Sequence, residues 1–129
     1  MDEKDLDILG QDDGYLGGVQ TMCAGFFMCR PSETMKELFI NVKNMVISGF
    51  SGNDQLALNF LLQNHFTDRV KSDLLNSDYY SVWRDTNCGL WEESTKLNVP
   101  ASIRMHHANY VTGVGTKIQL MQSVRSHVK

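Results

Sequence analysis

The stretch Met22-Cys23-Ala24-Gly25-Phe26-Phe27-Met28-Cys29 constrains the fold more than any other part of the sequence. It is apolar throughout, far too short to cross a bilayer, and too continuous for a strand with one wet face. It reads as a buried strand. Immediately after it, Pro31-Ser32-Glu33 opens a segment with a different period. Met35, Leu38, Phe39, Val42, Met45 and Val46 recur at the spacing of one helix face. Glu33 suits the first turn of that helix, Thr34 and Glu37 have the spacing of a capping box, and Ser48-Gly49 ends it. A buried strand running straight into an amphipathic helix calls for a sheet covered by helices.

The remaining segments extend this pattern. Residues 5–10 form a short strand, and Gln11-Asp12-Asp13-Gly14 with Gly17-Gly18 supplies turn chemistry. A second helix starts at Asn53-Asp54, where either residue can cap, with Leu56, Phe60 and Leu61 toward the core. Short strands are expected at 70–75, 79–83 and 102–106. Residues 84–100 are irregular, and a last amphipathic helix covers 116–128, with Ile118, Met121 and Val124 on one face. The expected fold is α/β, a mixed sheet flanked by helices, in one domain spanning residues 1–129.

Composition narrows the function classes. With 12 Lys+Arg against 15 Asp+Glu, the chain carries a formal charge of −3, which disfavours a broad nucleic-acid-binding surface. No apolar run is long enough for a membrane span. The start, Met1-Asp2-Glu3-Lys4-Asp5, lacks the apolar core of a secretory leader. Cys23, Cys29 and Cys88 are too few and too irregular for a disulfide framework or a zinc knuckle, so they are expected as small buried thiols in a reducing, cytoplasmic setting.

Three groups of residues have the types and spacing to carry chemistry. Asn53, Asp54, Gln55 and Asn59 cluster at a helix start, beside exposed N–H groups that can hold hydroxyls or an anion. On local physics alone, plain capping and a solvated face are the simpler explanation of them. His106-His107-Ala108-Asn109-Tyr110 pairs two imidazoles at a strand end, pointing to opposite faces, with Gly113 and Gly115 returning Lys117 toward an anion. Asp5, Asp7, Asp12 and Asp13 make an acidic stretch in which Asp5 and Asp7 share one side of a strand. That pattern fits a Mg²⁺ or Mn²⁺ pair or an exposed polar face.

Taken in order, these pieces resemble the C-terminal half of a GT-A-type nucleotide-diphospho-sugar transferase. Residues 23–33 are similar to that family's strand-to-helix passage, which carries a glycine, paired aromatics, an arginine and a closing Ser/Thr-Glu. Asn53-Asp54-Gln55 with Leu58-Asn59 is similar to its Asn-Asp-Gln helix start. His107-Ala108-Asn109-Tyr110, Gly113 and Lys117 are similar to its terminal strand and loop. The resemblance runs from about Asp7 to Lys117 and is nearest to retaining plant-type and viral enzymes.

The resemblance implies a glycosyltransferase moving a hexosyl or pentosyl group from a nucleotide-diphospho-sugar to an acceptor hydroxyl on a saccharide, protein or glycan, with retention. It implies Asp54 and Gln55 as catalytic residues beside the donor sugar. His107 would ligate Mn²⁺ or Mg²⁺, and Lys117 would contact a phosphate. Asp12, Asp13, Ala24, Gly25, Asn53 and Asn59 would line the substrate. Cys23 stands where the family often has asparagine. The family's opening nucleotide-binding strand and acidic Asp-x-Asp have no counterpart here, and Asp5-Leu6-Asp7 is closer to the strand that follows them. The sequence therefore also admits a non-catalytic remnant that binds a partner, or its own copies, along an open sheet edge.

Overall fold

A computed structural model describes residues 5–129; Met1–Lys4, part of the acidic start, lie outside the described residues. The chain divides into two compact units. Among the described residues, the first comprises 5–10 and 22–74, the second 11–21 and 75–129.

Strands β1 (Ile8–Leu16) and β2 (Val19–Cys29) form a hairpin that leaves the first unit and returns to it. Its turn is Gly17-Gly18, with φ of 58° and 81°. Two consecutive positive values define the turn that matches strand twist in antiparallel hairpins, and glycine adopts them without steric cost. The expected turn at residues 11–14 is absent: β1 runs straight through it. Long-range bonds, described below, hold these polar residues extended against their local preference. Strand β3 (Ser72–Leu74) pairs parallel with β1 through Ile8↔Ser72, Leu9↔Asp73 and Gly10↔Leu74, giving the order β2-β1-β3. The sheet is therefore mixed, as expected.

In the first unit, α1 (Glu33–Ile47) and α2 (Asp54–Asn64) pack with the strands around Ile8, Met22, Met35, Leu38, Val42, Leu58 and Leu61. Leu38 is wholly buried, a burial worth about 2 kcal/mol. The cap of α1 is Ser32, whose Oγ accepts the Met35 N–H at 3.1 Å, so Thr34–Glu37 is not the capping box. Glu37 instead takes a two-point ion pair from Arg69. In α2 the buried face is Ala57, Leu58, Asn59, Leu61 and Leu62, while Leu56 and Phe60 are exposed. The expected face is thus shifted by about one position, because Asn59 turns inward to hydrogen-bond β2.

The second unit is built on less regular structure. Strands β4 (Tyr79–Tyr80) and β5 (Met105–His106) pair parallel, and α3 (Val114–Arg125) packs through Leu120 and Val124. Tyr80, Val82, Trp91 and Leu97 complete its core. Ile118 and Met121 were expected inside but are about half exposed, because Leu120 takes the core position. Only Cys23 is a buried thiol; Cys29 and Cys88 are exposed, and none of the three is in a disulfide. Cys29 sits at the end of β2 and Cys88 in the turn after β4, so neither inherits the burial of a strand centre. Among the described residues, no helix is long and apolar enough to cross a membrane.

Candidate functional site: two clusters of polar residues

The first cluster lies in the first unit, where α2 begins beside β2. The Asn53 Oδ1 accepts the Leu56 N–H at 2.8 Å and caps the helix. Asp54, in the first turn, is exposed, and its Oδ1 accepts the neighbouring Gln55 N–H at 2.9 Å. The other carboxylate oxygen keeps acceptor capacity at a positive helix end. Gln55 is half-buried and accepts the Ala24 N–H through Oε1 at 3.1 Å. Its amide is thereby fixed to the strand that carries Ala24 and Gly25. The Gly25 N–H points to Cys23 Sγ at 3.4 Å.

Asn59 is buried and fully engaged. Its Oδ1 accepts the Met22 N–H at 2.7 Å, and its Nδ2 donates to the carbonyls of Met22 (2.8 Å) and Gln55 (2.9 Å). It clamps strand to helix. It also supports Gln55, through that residue's backbone carbonyl.

The second cluster lies in the second unit. Asp13, buried in β1, accepts a hydrogen bond from Asn109 Nδ2, and its backbone carbonyl accepts one from the Tyr110 hydroxyl. Ser81 Oγ donates to Asn109 Oδ1 at 3.1 Å. Tyr110 occupies the left-handed region at φ 57°. The His-Ala-Asn-Tyr segment is thus tied to β1 by its Asn and Tyr, so Asp13 has a positioning role that local sequence pattern does not reveal.

His107 is half-buried, and burial, then the Lys117 ammonium, pushes its imidazole below the usual histidine range. It is therefore neutral at pH 7, the form that binds a metal ion. Lys117 is exposed in the first turn of α3. Gly113 at the N-cap, with φ of 80°, gives that helix no side-chain cap, so its first N–H groups face outward beside a cation. His106 is distinct: its Nδ1 lies 2.9 Å from the Tyr80 carbonyl, and burial lowers its pKa, with the backbone bond opposing. His106 turns inward to β4, while His107, just past the end of β5, feels the Lys117 charge.

The chemistry of the donor set limits what metal these residues can hold. Among the described residues, no three His, Cys, Asp or Glu side chains gather into a ligand set. Asp7 is committed elsewhere, with Oδ2 accepting the Lys71 N–H at 2.8 Å. His107 fits as a single neutral nitrogen ligand, and the other positions around a cation would fall to phosphate oxygens and water.

A family model described as nucleotide-diphospho-sugar transferase matches residues 1–121. The chain belongs to that family. The match covers both clusters, and with it the mixed sheet and flanking helices become those of a nucleotide-sugar transferase domain. Membership implies a nucleotide-sugar donor and an acceptor substrate. No curated protein and no solved structure matches the chain.

Proposed function

We propose that this chain serves retaining sugar transfer from a nucleotide-diphospho-sugar to an acceptor hydroxyl, aided by Mn²⁺ or Mg²⁺. The observation that carries the reading is the pairing of a neutral His107 with Lys117 at an uncapped helix start. A departing nucleoside diphosphate takes the electron pair of the broken sugar–oxygen bond, and its negative charge must be stabilised. Lys117 supplies an ammonium for a phosphate oxygen, and the α3 N–H groups add to it. A divalent ion bound through His107 would neutralise further phosphate charge. Without the diphosphate, Lys117 repels a bare cation from His107, so metal and nucleotide bind together or weakly.

Asp54 and Gln55 carry the sugar-side roles. The exposed Asp54 carboxylate accepts hydrogen bonds from sugar hydroxyls. Gln55, held by the Ala24 N–H, supports developing positive charge at the anomeric carbon through its amide dipole. Asn53 caps the helix start, and Asn59 holds it in register with β2.

Calorimetry of nucleoside-diphosphate binding, with and without Mn²⁺, tests this reading. Metal-dependent binding is expected, and His107→Ala should weaken it about tenfold or more. Binding that is equally strong without metal, or indifferent to His107→Ala in a folded chain, would remove the role given to His107. In transfer assays Asp54→Asn should depress turnover while leaving the fold intact.

A further inference from the structure

A cleft of about 340 Å³ opens in the second unit, within the range of small-molecule sites. Its lining combines the rings of Tyr79 and Trp83 with the hydrogen-bonding groups of Asp12, Asp85 and Asn98, and with Arg84. None of these except Asp12 was legible as a site residue.

The polar groups are held in place by the protein. Asp85 accepts from the Tyr80 hydroxyl, from the Asn98 N–H at 3.0 Å and from Asn98 Nδ2 at 2.7 Å. Burial pushes the Asp85 carboxyl up, but these three bonds outweigh it and hold it below the usual carboxylate range. Asp12 accepts from the Gly14 N–H and from Gln20 Nε2, each at 3.0 Å. Two carboxylates, each with lone pairs to spare, are thereby presented in fixed positions. The turn that carries Asp85 is closed by the Thr86 N–H to the Val82 carbonyl at 3.0 Å and the Cys88 N–H to the Trp83 carbonyl at 2.8 Å.

Charge decides which ligand such a cleft favours. Arg84 is the one guanidinium in the lining; it lies 3.6 Å from Asp12 and stacks over Trp83 at 4.9 Å. A phosphate or uronate would meet two carboxylates against one cation that is already paired. A neutral polyol meets no such penalty. Its hydroxyls donate to Asp12 and Asp85 as charge-assisted bonds, and its C–H faces pack on the rings.

We propose that this cleft is a subsite for a neutral saccharide, the acceptor of the transfer, with Asp12 and Asp85 taking its hydroxyls. The acceptor role, though not the saccharide binding, rests on the transferase reading above. Ser81 connects the subsite to the diphosphate-side cluster: it lines the cleft and donates to Asn109, two residues from His107.

The test uses the chain's two tryptophans, Trp83 at the cleft and Trp91 buried in the core of the second unit. The indole N–H resonance of Trp83 is followed while methyl glycosides of neutral hexoses and pentoses are added, with glucuronate in parallel. Nucleoside diphosphate with Mn²⁺ is titrated separately. Saturable movement of the Trp83 signal by at least one neutral glycoside is expected, with weaker binding of glucuronate. Asp85→Asn and, independently, Asn98→Ala should each weaken the glycoside about tenfold, with folding checked by circular dichroism. Asn98 is exposed, so its variant keeps the test open if Asp85→Asn fails to fold. A folded chain that binds the diphosphate but no neutral glycoside would overturn the subsite and leave the transferase reading standing. Glycoside binding without diphosphate binding would keep the saccharide site and overturn its role as acceptor. Glucuronate binding as tight as that of the neutral glycosides would overturn the charge argument.

Discussion

The two units of this chain reach order by different means. The first is held by an apolar core between two capped helices and a sheet, with one buried amide, Asn59, joining α2 to β2. The second has two-residue strands, a smaller core, and a mesh of side-chain bonds running from Asp13 through Asn109 to Ser81 and from Tyr80 through Asp85 to Asn98. Burial is non-directional and tolerates variation, whereas a polar mesh demands that every partner be present. Substrate chemistry in a sugar transferase needs fixed polar groups. Most of the fixed polar groups here lie in the second unit, and the regular packing lies in the first.

Variants can be chosen to separate the two. The largest effect is expected from Asn59→Ala in the first unit. It leaves the Met22 N–H and C=O buried without partners and should cost about 4 kcal/mol, each orphaned group contributing about 1–3. Both tryptophans lie in the second unit, so their fluorescence reports on that unit, while α1 and α2 place most of the helical signal in the first. In urea the far-ultraviolet midpoint should fall more than the fluorescence midpoint. Equal falls would mean that the units unfold as one and do not differ in what holds them.

Gly14→Ala is the counterpart in the second unit. Gly14 has φ of 84°, and an added Cβ would come within 3.0 Å of the Trp83 ring and 3.1 Å of Cys88 Sγ. Neither the aromatic ring nor the backbone angle can yield easily, so a loss of about 2 kcal/mol is expected. The fluorescence midpoint should move first. A variant as stable as the parent would show that the 82–89 turn adapts, and that the mesh is softer than its geometry suggests.

Legibility from sequence followed the same division. The face and the end of α1 could be read because its apolar period is clean, and Ser32 still displaced Thr34 as the cap. In α2 the run Leu56-Ala57-Leu58-Asn59-Phe60-Leu61-Leu62 offers two overlapping stripes. The choice between them is made by Asn59, whose inward turn depends on a strand 37 positions away. Gln11-Asp12-Asp13-Gly14 has turn chemistry, yet it forms a strand because Gln11 Nε2 donates to the Tyr79 and Tyr80 carbonyls at 3.1 and 3.0 Å and Asn109 holds Asp13. Such bonds span 69 and 96 positions and leave no mark on a local window. The site motifs were visible as words in the sequence. The clamp roles of Asn59 and Asn109, and the cleft residues Trp83 and Asp85, depend on which distant segments meet.

The smallest effect expected is in acid, and it too separates the units. His106 and His107, both in the second unit, have pKa values lowered first by burial. The unfolded chain binds their protons near pH 6.5, before the folded chain does. Their contribution to stability is therefore complete above about pH 6.5 and is lost as pH falls through the lower folded values. In the first unit the shifted carboxylate is Glu37, lowered by its hydrogen bond to Arg69, and it acts only in the acid range of carboxylates. In metal-free buffer at moderate urea, lowering the pH from 7 toward 5 should shift the tryptophan-detected transition before the helix-detected one. His106→Gln should narrow the gap, since an amide keeps a donor for the Tyr80 carbonyl and takes up no proton. If the helix signal moved first, the acid-sensitive groups would lie in the first unit, and the division between packed and meshed halves would need a different physical basis.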